Sequence, residues 1–381
     1  MSAARCAVAL RDHGKATVAE VARLTGLSRP TVEAGIASMI SRGLVTDTDV
    51  HTIGGRGVGR PARLFEFNAS AGYVIGVDIG IHRIRVAVAN LTGDVLSWVE
   101  ERIAAPLNGA ARMTLVKSLI RRALDDAASM PAKVVAMTVA VSGMVDTDGR
   151  LLASVLLPDW EGVDVAGYLR AEFGCAVIVE NDMRLAALAE HRLGTAQLMD
   201  DVIFFFLGHR VAMGLVIDGE LRRGHHSAAG EIGDMAFGDL LDSSGELVWT
   251  TAASGEEVFR RAAEGHADSK AEVDAFVEGL AAGIAVVTMA IDPDIVVIGG
   301  GLSRAGDVLL DPLRRSVSSR IKVPVRPSIK ASELGTESVV LGALALASSE
   351  ASALTFGVRG LPDPVIDVAR ARRAAEIGAA A

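Results

Sequence analysis

Apolar residues near the amino end recur at helical spacing in three short stretches. The first, 3–13, ends at Gly14, which is typical of a helix with a glycine C-cap. The second begins after Thr17 and the third after Ser28, and both residues are good N-caps. Pro30 stands just inside the third start, as expected at the beginning of a helix. Three short helices with a tight turn before the last predict a helix-turn-helix.

The first turn of the third predicted helix carries short or hydrogen-bonding side chains, which suit contacts with phosphates and base edges in a major groove. After it, the segment 46–63 is rich in glycine and arginine, which predicts a hairpin wing that reaches a narrow minor groove. The alternatives are a protein-interaction module and a flexible linker. The predicted DNA-binding residues are Ser28, Arg29, Thr31, Glu33, Arg56, Arg60 and Arg63.

From residue 73 onward, short apolar strands alternate with helical stretches in two cycles. Loops at the strand ends line the crevice in folds of this kind. The pattern predicts an α/β body in two lobes. The predicted strands are 74–77, 85–89, 133–141, 176–180, 202–207, 215–217 and 295–298, and the predicted helices include 110–128 and 274–291.

Composition narrows the class of protein. With 381 residues, 50% of them hydrophobic and 22% charged, the chain has enough apolar material for two or three domains and is not a disordered one. The longest uncharged apolar stretch, 279–291, is short for a membrane crossing, so we expect a cytoplasmic protein without membrane contact. Two cysteines, Cys6 and Cys175, are too few for a disulfide framework or a cysteine-based zinc site.

Charge is distributed unevenly along the chain. The whole sequence carries 38 Lys and Arg against 47 Asp and Glu, a net charge of −9. Residues 1–67 alone hold nine basic and six acidic residues, so this head has a charge of +3 and the remainder −12. A positive head on an acidic body favours contact of the head with nucleic acid, although a difference of this size is also found in ordinary surface variation.

Five motifs in order resemble those of the ROK family (repressors, open reading frames, kinases). They are the segments 24–32 (LTGLSRPTV), 77–80 (VDIG), 179–182 (VEND), 229–233 (AGEIG) and 298–301 (IGGG). Each motif alone is weak, but the five together span the chain from about residue 18 to 347.

The resemblance implies a fold class, a domain division and partners. The implied fold is α/β: an N-terminal winged helix-turn-helix followed by a two-lobed actin-like ATPase fold of the sugar kinase and ROK type. The implied partners are a double-stranded, pseudopalindromic DNA operator and a small carbohydrate-derived effector, bound by a homodimer or homotetramer. The expected domains are 1–67 (DNA-binding), 68–183 (first lobe), 184–360 (second lobe, with oligomerisation and the effector crevice) and 361–381 (C-terminal helix).

Two loops that hold ATP in the kinases of the family are altered here. Their first loop runs Asp-x-Gly-Gly-Thr, whereas segment 78–82 reads DIGIH; their second is Gly-Thr-Gly-x-Gly, whereas 208–214 reads GHRVAMG. Bulky side chains replace the bare backbone that a polyphosphate needs. Asp182 stands at the position of the family's general base, but with no ATP it would be vestigial, and it also suits a helix start. We expect no cofactor and no enzymatic activity.

The resemblance also suggests effector-binding residues. Asn181, Asp182 and Glu231 match the sugar-binding positions, and Asp234 stands where the family has a His that supports sugar and zinc, so no metal site is expected. Basic side chains on the loops suit an anionic effector such as a sugar phosphate, or else plug a disused nucleotide pocket. These basic residues are His82, Arg83, Arg85, His209 and Arg210, and the last two are included among the predicted effector-binding residues.

The C-terminal segment 364–380 predicts an amphipathic helix with Val365, Val368, Ala369 and Ile377 on its apolar side. Two placements are open: packing near the DNA-binding head, or closing the first lobe.

The sequence therefore favours a DNA-binding transcriptional regulator. We expect a repressor of sugar or amino-sugar metabolism genes, controlled by an effector bound between the lobes, with no kinase activity. The alternatives are an ATP-dependent sugar kinase of the ROK family and a regulator that binds DNA without any effector.

Overall fold

The fold is described from a computed structural model of the chain, which describes residues 1–48, 63–129 and 133–380. These residues form two compact units. The first contains Met1–Val139, Val165–Ile178 and Leu344–Ala381, and the second contains Ala140–Asp164 and Val179–Ala343. The chain therefore passes between the units more than once, and the linear division into 1–67, 68–183, 184–360 and 361–381 stays a prediction.

The amino-terminal head begins with the three expected helices, and local caps define their ends. Thr17 and Glu20 form a capping box in which each side chain accepts from the backbone N–H of the other. Gly26 ends the second helix in the left-handed region (φ 69°), and the Ser28 side chain accepts from the N–H of Thr31 to start the third. The elements are α1 (Ser2–His13), β1 (Ala16–Thr17), α2 (Val18–Thr25), α3 (Arg29–Ser41), β2 (Val45–Thr48) and β3 (Leu64–Phe67).

Two contacts shape the head into a winged helix-turn-helix. A Cβ on Gly35 of α3 would lie 3.2 Å from both the Ala3 Cα and the Cys6 Sγ of α1, so the two helices pack with almost no space between them. Strand β3 lies between β1 and β2 and pairs antiparallel with both, with Thr48 opposite Leu64 at the base of the wing. The predicted wing is thus present at its base.

The body contains two main sheets, with the strand orders β10-β7-β4-β5-β6 and β13-β12-β11-β14-β15. In the first, β4 pairs antiparallel with β5, and β5 with β6. In the second, β11 pairs antiparallel with β12 but parallel with β14. The strands are β4 (Tyr73–Ile79), β5 (Arg83–Asn90), β6 (Val95–Arg102), β7 (Val134–Val141), β8 (Met144–Val145), β9 (Leu151–Ala153), β10 (Ala176–Asn181), β11 (Val202–Leu207), β12 (Val211–Ile217), β13 (Glu220–Leu221), β14 (Ile295–Gly299) and β15 (Ser328–Ala331).

Helices connect these strands and bury their apolar sides. The large core of the second unit combines β11, β12 and β14 with α8, α9 and α10. The helices are α4 (Gly109–Asp126), α5 (Val165–Phe173), α6 (Asp182–Leu193), α7 (Gly233–Phe237), α8 (Gly255–Ala263), α9 (Ala267–Ile291), α10 (Asp307–Arg320), α11 (Ser338–Phe356) and α12 (Val368–Ala380). Short 3₁₀ turns lie at Ala69–Ala71, Pro158–Trp160, Gly238–Leu240, Gly301–Ala305 and Gly335–Glu337.

Two of the described helical stretches have the length and apolar composition of a membrane span. They are Ala267–Ile291 and Gly335–Phe356, and 44% and 61% of their most apolar windows are buried in the protein. Core helices of proteins without spans show the same properties. In this structure α9 packs against α8 and α10.

The buried face of the C-terminal segment is not the one that the sequence predicts. Val365 and Ile377 are 77% and 73% exposed, whereas Ile366 and Ala371 are buried. The predicted face is therefore wrong. The helix packs against β6 so closely that a Cβ on Gly378 would lie 2.1 Å from the Trp98 carbonyl oxygen. A backbone approach this close leaves room only for small side chains at the contact. The large apolar residues of the segment therefore do not mark its buried face.

The sequence left two placements open for this helix. Its packing on β6 corresponds to the second, in which it closes the first lobe. The segment before it contacts the head instead: Arg11 of α1 donates from Nη2 to the Pro362 carbonyl at 2.7 Å. Phe67 of β3 also packs against Phe356 at the end of α11, with ring centroids 6.4 Å apart.

Candidate functional site

Asn181 and Asp182 lie where β10 ends and α6 begins. The Asn181 side chain caps the helix, accepting from the N–H groups of Met183 and Arg184 at 2.9 and 3.1 Å, and donates to the Gly143 carbonyl at 3.0 Å. The Asp182 side chain accepts from the Met183 N–H at 2.9 Å and is partly exposed in the first turn of the helix. Both residues therefore have a structural role at the start of α6.

A buried charge network lies directly beside this helix start. Glu180 and Arg184 are each 1% exposed, and Arg184 Nη1 lies 3.0 Å from Glu180 Oε1. The other carboxylate oxygen of Glu180 accepts from Arg223. Arg184 Nη2 donates to the Ser227 carbonyl at 2.6 Å. This network joins β10 and α6 to the loop that follows β13.

Close backbone packing places Glu231 near the start of α6. A Cβ on Gly230 would lie 2.5 Å from the Met213 carbonyl of β12, and a Cβ on Gly214 would lie 2.1 Å from the Met183 carbonyl of α6. Glu231 is exposed, but partial desolvation of its carboxyl raises its pKa, and the positive charge of Arg184 opposes that rise. Glu231 therefore lies close to the start of α6, near enough to Arg184 for that charge to act on its carboxyl.

Arg210 and Asp234 belong to a second cluster in the same unit. Arg210 donates to the Ser244 carbonyl, and a Cβ on Gly245 would contact both the Arg210 guanidinium and the Asp234 carboxylate. Hydrogen bonds from Ser244 lower the pKa of Asp242, and Arg210 adds a smaller effect in the same direction. Arg210 thus fixes the 242–247 turn, while His209 is exposed and accepts from the Leu247 N–H at 2.8 Å through its carbonyl.

The first loop implied to bind nucleotide contains a buried ion-pair network of its own. Arg85 is 4% exposed, and its guanidinium lies 3.2 Å from the Asp78 carboxylate and 2.9 Å from that of Glu100. Burial raises the pKa of Asp78, and Arg85 partly offsets that effect. The exposed neighbour Arg83 is 4.0 Å from Glu100.

Arg112 of α4 completes this arrangement. Its side chain is buried and donates to the Gly80 carbonyl at 2.6 Å and to the Ile81 carbonyl at 3.4 Å. The carboxylate and carbonyl groups of the loop are thus already paired with guanidinium groups of the chain, which does not fit a nucleotide phosphate and its metal ion.

The second implied nucleotide loop is shorter than the sequence predicts. Segment 208–214 was expected to form a loop, but β12 begins at Val211, and Leu207 pairs with Val211 across a turn of only three residues. The alternating apolar residues after Val211 belong to a buried strand. No extended loop remains there to surround a polyphosphate.

The predicted DNA-binding residues of α3 lie at its amino-terminal end. Arg29 and Glu33 are exposed, and within the described residues Arg29 makes no hydrogen bond or ion pair. The hydroxyl groups of Ser28 and Thr31 are 2.8 Å apart. All four side chains lie within about one turn of the helix start, where the backbone N–H groups also favour phosphate.

The wing residues are described only in part. Arg63, just before β3, pairs with Asp47 of β2, and its guanidinium lies 5.7 Å from the centre of the Phe65 ring. The predicted contacts Arg56 and Arg60 lie outside the described residues.

Several residues of these networks were not singled out from the sequence, namely Glu180, Glu100, Arg112, Arg184 and Arg223. Only the pair Glu180 and Arg184 carried a signal, since a spacing of four residues allows an ion pair on a helix. The other partners are 7 to 43 residues apart in the chain. Within residues 1–48, 63–129 and 133–380, no three His, Cys, Asp or Glu side chains are grouped so as to hold a metal ion.

The sequence profile of the ROK family matches residues 74–243 and 239–350, so the chain belongs to the ROK family. It is 27% identical to the putative xylose repressor of Caldicellulosiruptor sp. (strain Rt8B.4), over 89% of this chain and 93% of that protein. It is also 27% identical to a glucokinase of Streptomyces coelicolor (strain ATCC BAA-471 / A3(2) / M145), over 72% of this chain and 98% of the kinase.

A solved structure described as a ROK family transcriptional regulator, a homolog of the E. coli MLC protein, superposes with a TM-score of 0.73. It is 19% identical and covers 93% of this chain and 97% of that one, so the likeness includes the head as well as the body. The predicted fold class is confirmed: a winged helix-turn-helix precedes a two-lobed actin-like fold of the sugar kinase type.

Proposed function

We propose that this protein is a DNA-binding transcriptional repressor of sugar or amino-sugar metabolism genes, controlled by a carbohydrate-derived effector, and that it has no kinase activity. The observation that carries the proposal is the exposed amino-terminal turn of α3 on a head that precedes a ROK body. The xylose repressor relative supports it, because that similarity extends over 89% of the chain and therefore beyond the body into the head.

The effector is proposed to bind at Asn181, Asp182 and Glu231, whose oxygen atoms suit the hydroxyl groups of a sugar. Asp234, His209 and Arg210 were expected to contribute as well. The contacts of Arg210 with the 242–247 turn favour a structural role for its charge over binding of a sugar phosphate. D-xylose is the first sugar to test, since it occurs in the names of the repressor relatives.

A second candidate function is that of a sugar kinase. The glucokinase relative favours it, as does the Asp182 carboxylate at the position of the general base. Against it stand the ion pairs of Arg85 with Asp78 and Glu100 and the hydrogen bonds of Arg112 in the first loop. Phosphoryl transfer is mostly positioning and electrostatic stabilisation, so a loop whose polar groups are already paired is poorly suited to it.

The direct test is a gel-shift assay with the promoter beside the protein's own gene, in the absence and presence of D-xylose and D-glucose. We expect a retarded complex of a dimer or tetramer on a pseudopalindromic site, and a change in its stability with the sugar that acts as effector. A protein that does not retard this DNA, or any promoter nearby, contradicts the proposal. Retardation that no sugar or sugar phosphate alters favours regulation without an effector.

A further inference from the structure

Glu231 lies in a loop that is held partly by its own backbone hydrogen bonds, such as those from the Ala229 N–H to the Arg223 carbonyl and from the Glu231 N–H to the Ala228 carbonyl, both at 3.1 Å. Residues 222–232, between β13 and α7, form this segment, which we call the 222–232 loop. Ser227 has a φ of 55°, in the left-handed region that costs a residue with a side chain about 1 kcal/mol. Such a conformation persists only where surrounding groups hold it. The question is which groups hold this loop beside α6.

Arg184 provides the required anchor. Its side chain is 1% exposed and extends from α6 to the loop, where Nη2 donates to the carbonyl of Ser227 itself. Nη1 donates in the opposite direction, to Glu180 at the end of β10. One planar guanidinium group therefore bridges a strand end and the strained residue of the loop, and its fork of donors allows this where a single amine would not.

A second guanidinium acts on the same carboxylate from the loop side. Glu180 accepts from Arg184 at Oε1 and from Arg223 at Oε2, and its Oε1 also accepts from the Asn181 N–H at 2.9 Å. Glu180 is thus the point at which α6, the effector-binding Asn181 and the loop are joined. Charge-assisted hydrogen bonds of this kind are about twice as strong as neutral ones.

We propose that Arg184 is a positioning residue of the effector site, which clamps the 222–232 loop so that Glu231 is held beside Asn181 and Asp182. This inference rests on the proposed function for the nature of the ligand, a polyhydroxylated molecule, but not for the clamp itself. Arg184 touches no ligand in this account; it acts through Ser227 and Glu180.

The test is hydrogen–deuterium exchange of the full-length protein, comparing wild type, R184A and the control R192A. The control makes the same change about two turns further along α6. In R184A we expect exchange of the 222–232 amides to rise about tenfold or more, since losing a buried charge-assisted hydrogen bond costs at least that ratio. The head and the first sheet should exchange as in wild type.

Chemical rescue separates positioning from a general loss of stability. Removal of the Arg184 side chain leaves a buried slot lined by Glu180 and Ser227, into which free guanidinium fits. Millimolar guanidinium chloride should restore protection of the loop in R184A and leave R192A unchanged, whereas a globally weakened protein would regain no protection, because denaturant at this concentration hardly changes stability. R184K serves if R184A does not fold: it should protect the loop partly, because an ammonium lacks the planar fork.

The clamp is contradicted by any of three results: wild-type exchange of the loop in R184A, an equal rise across the whole second unit, or no rescue by guanidinium. A separate experiment titrates the same variants with D-xylose. If wild type does not bind D-xylose, the choice of sugar in the proposed function is contradicted. The exchange results alone test whether Arg184 clamps the loop. Equal affinities in wild type and R184A contradict a role of the clamp in the effector site.

Discussion

The guanidinium of Arg85 lies 3.2 Å from the carboxylate of Asp78, the acidic residue that begins the first loop of the family's nucleotide site. Arg85 is buried and the Asp78 side chain is 14% exposed, and Glu100 lies on the other side of the same guanidinium at 2.9 Å. A positive charge within the chain therefore neutralises these carboxylates. This pairing supports the proposed function, in which the body binds an effector and does not transfer phosphate.

Removing the Arg85 side chain should destabilise the protein. R85M removes the ion-pair partner that Asp78 and Glu100 share and leaves only Arg83, 4.0 Å from Glu100, so we expect a loss of about 3 kcal/mol in the free energy of unfolding. R83M is the matched control, because the Arg83 side chain is 41% exposed and lies 4.0 Å from Glu100, so its loss should cost about 1 kcal/mol or less. Urea denaturation measures both values, and equal effects would contradict the burial argument.

The cost of R85M should also depend on pH. Burial already holds the pKa of Asp78 above its usual range, and loss of Arg85 raises that pKa further. As the pH falls toward this pKa, Asp78 binds a proton and its charge no longer needs a partner, so the difference from wild type should shrink. A difference that grows in acid would show that Asp78 is not the group responsible.

The head should be sensitive to added side-chain volume at the contact between α1 and α3. G35V places side-chain atoms against Ala3 and Cys6 of α1, where a Cβ alone is already at 3.2 Å. We expect a loss of about 1–3 kcal/mol in unfolding free energy from overpacking. A37V, on the exposed face of the same helix, carries only the small propensity cost. Thermal unfolding followed by circular dichroism distinguishes them, and equal melting temperatures would contradict the packing described.

Arg29 and Arg60 of the head should make two different kinds of contact with DNA. R29A should weaken binding to all sequences and reduce the slope of log affinity against log salt by about one, as expected for a lost phosphate contact. R60A should weaken binding mainly at operators flanked by A·T pairs, where a narrow minor groove attracts arginine. Fluorescence anisotropy over a salt series measures the DNA affinity of both variants. R23A, which changes an exposed arginine of α2, is the control. An unchanged pattern in both variants would contradict the assignment.

Effector binding should weaken in mild acid. Partial desolvation raises the pKa of Glu231, so its carboxylate is protonated at a higher pH than that of an ordinary glutamate, and the charge of Arg184 opposes that rise. If Glu231 accepts from a sugar hydroxyl, affinity falls as the pH drops through this pKa. E231Q should lower affinity at neutral pH and remove the dependence. Calorimetric titration with D-xylose checks both, and an E231Q variant that binds as wild type would contradict the role.

Features fixed by neighbouring residues were predictable from the sequence. The capping box at Thr17, the left-handed Gly26 and the Ser28 cap each involve residues within three or four positions, so the head was located correctly with its helix ends. Seven of the described strands of the body followed from their apolar runs, whereas β6, β8, β9, β13 and β15 were not predicted.

Features that depend on distant partners were not predictable. Arg184 meets Ser227 across 43 residues, and Arg85 meets Glu100 across 15, so no local pattern announces either contact. Segment 208–214 was expected to be a loop because of its glycines, but pairing with β11 makes most of it a strand. Close backbone approach, as at Gly378, likewise depends on an element far away in the chain.

The most direct measurement is a coupled ATP phosphorylation assay of the purified protein across hexoses, pentoses and hexosamines, run beside D182A. The paired groups of the first loop and the short turn at 208–210 predict no sugar-dependent turnover above that of D182A, in a preparation that retards its promoter DNA. Robust phosphorylation of a sugar by wild type, abolished in D182A, would contradict the account.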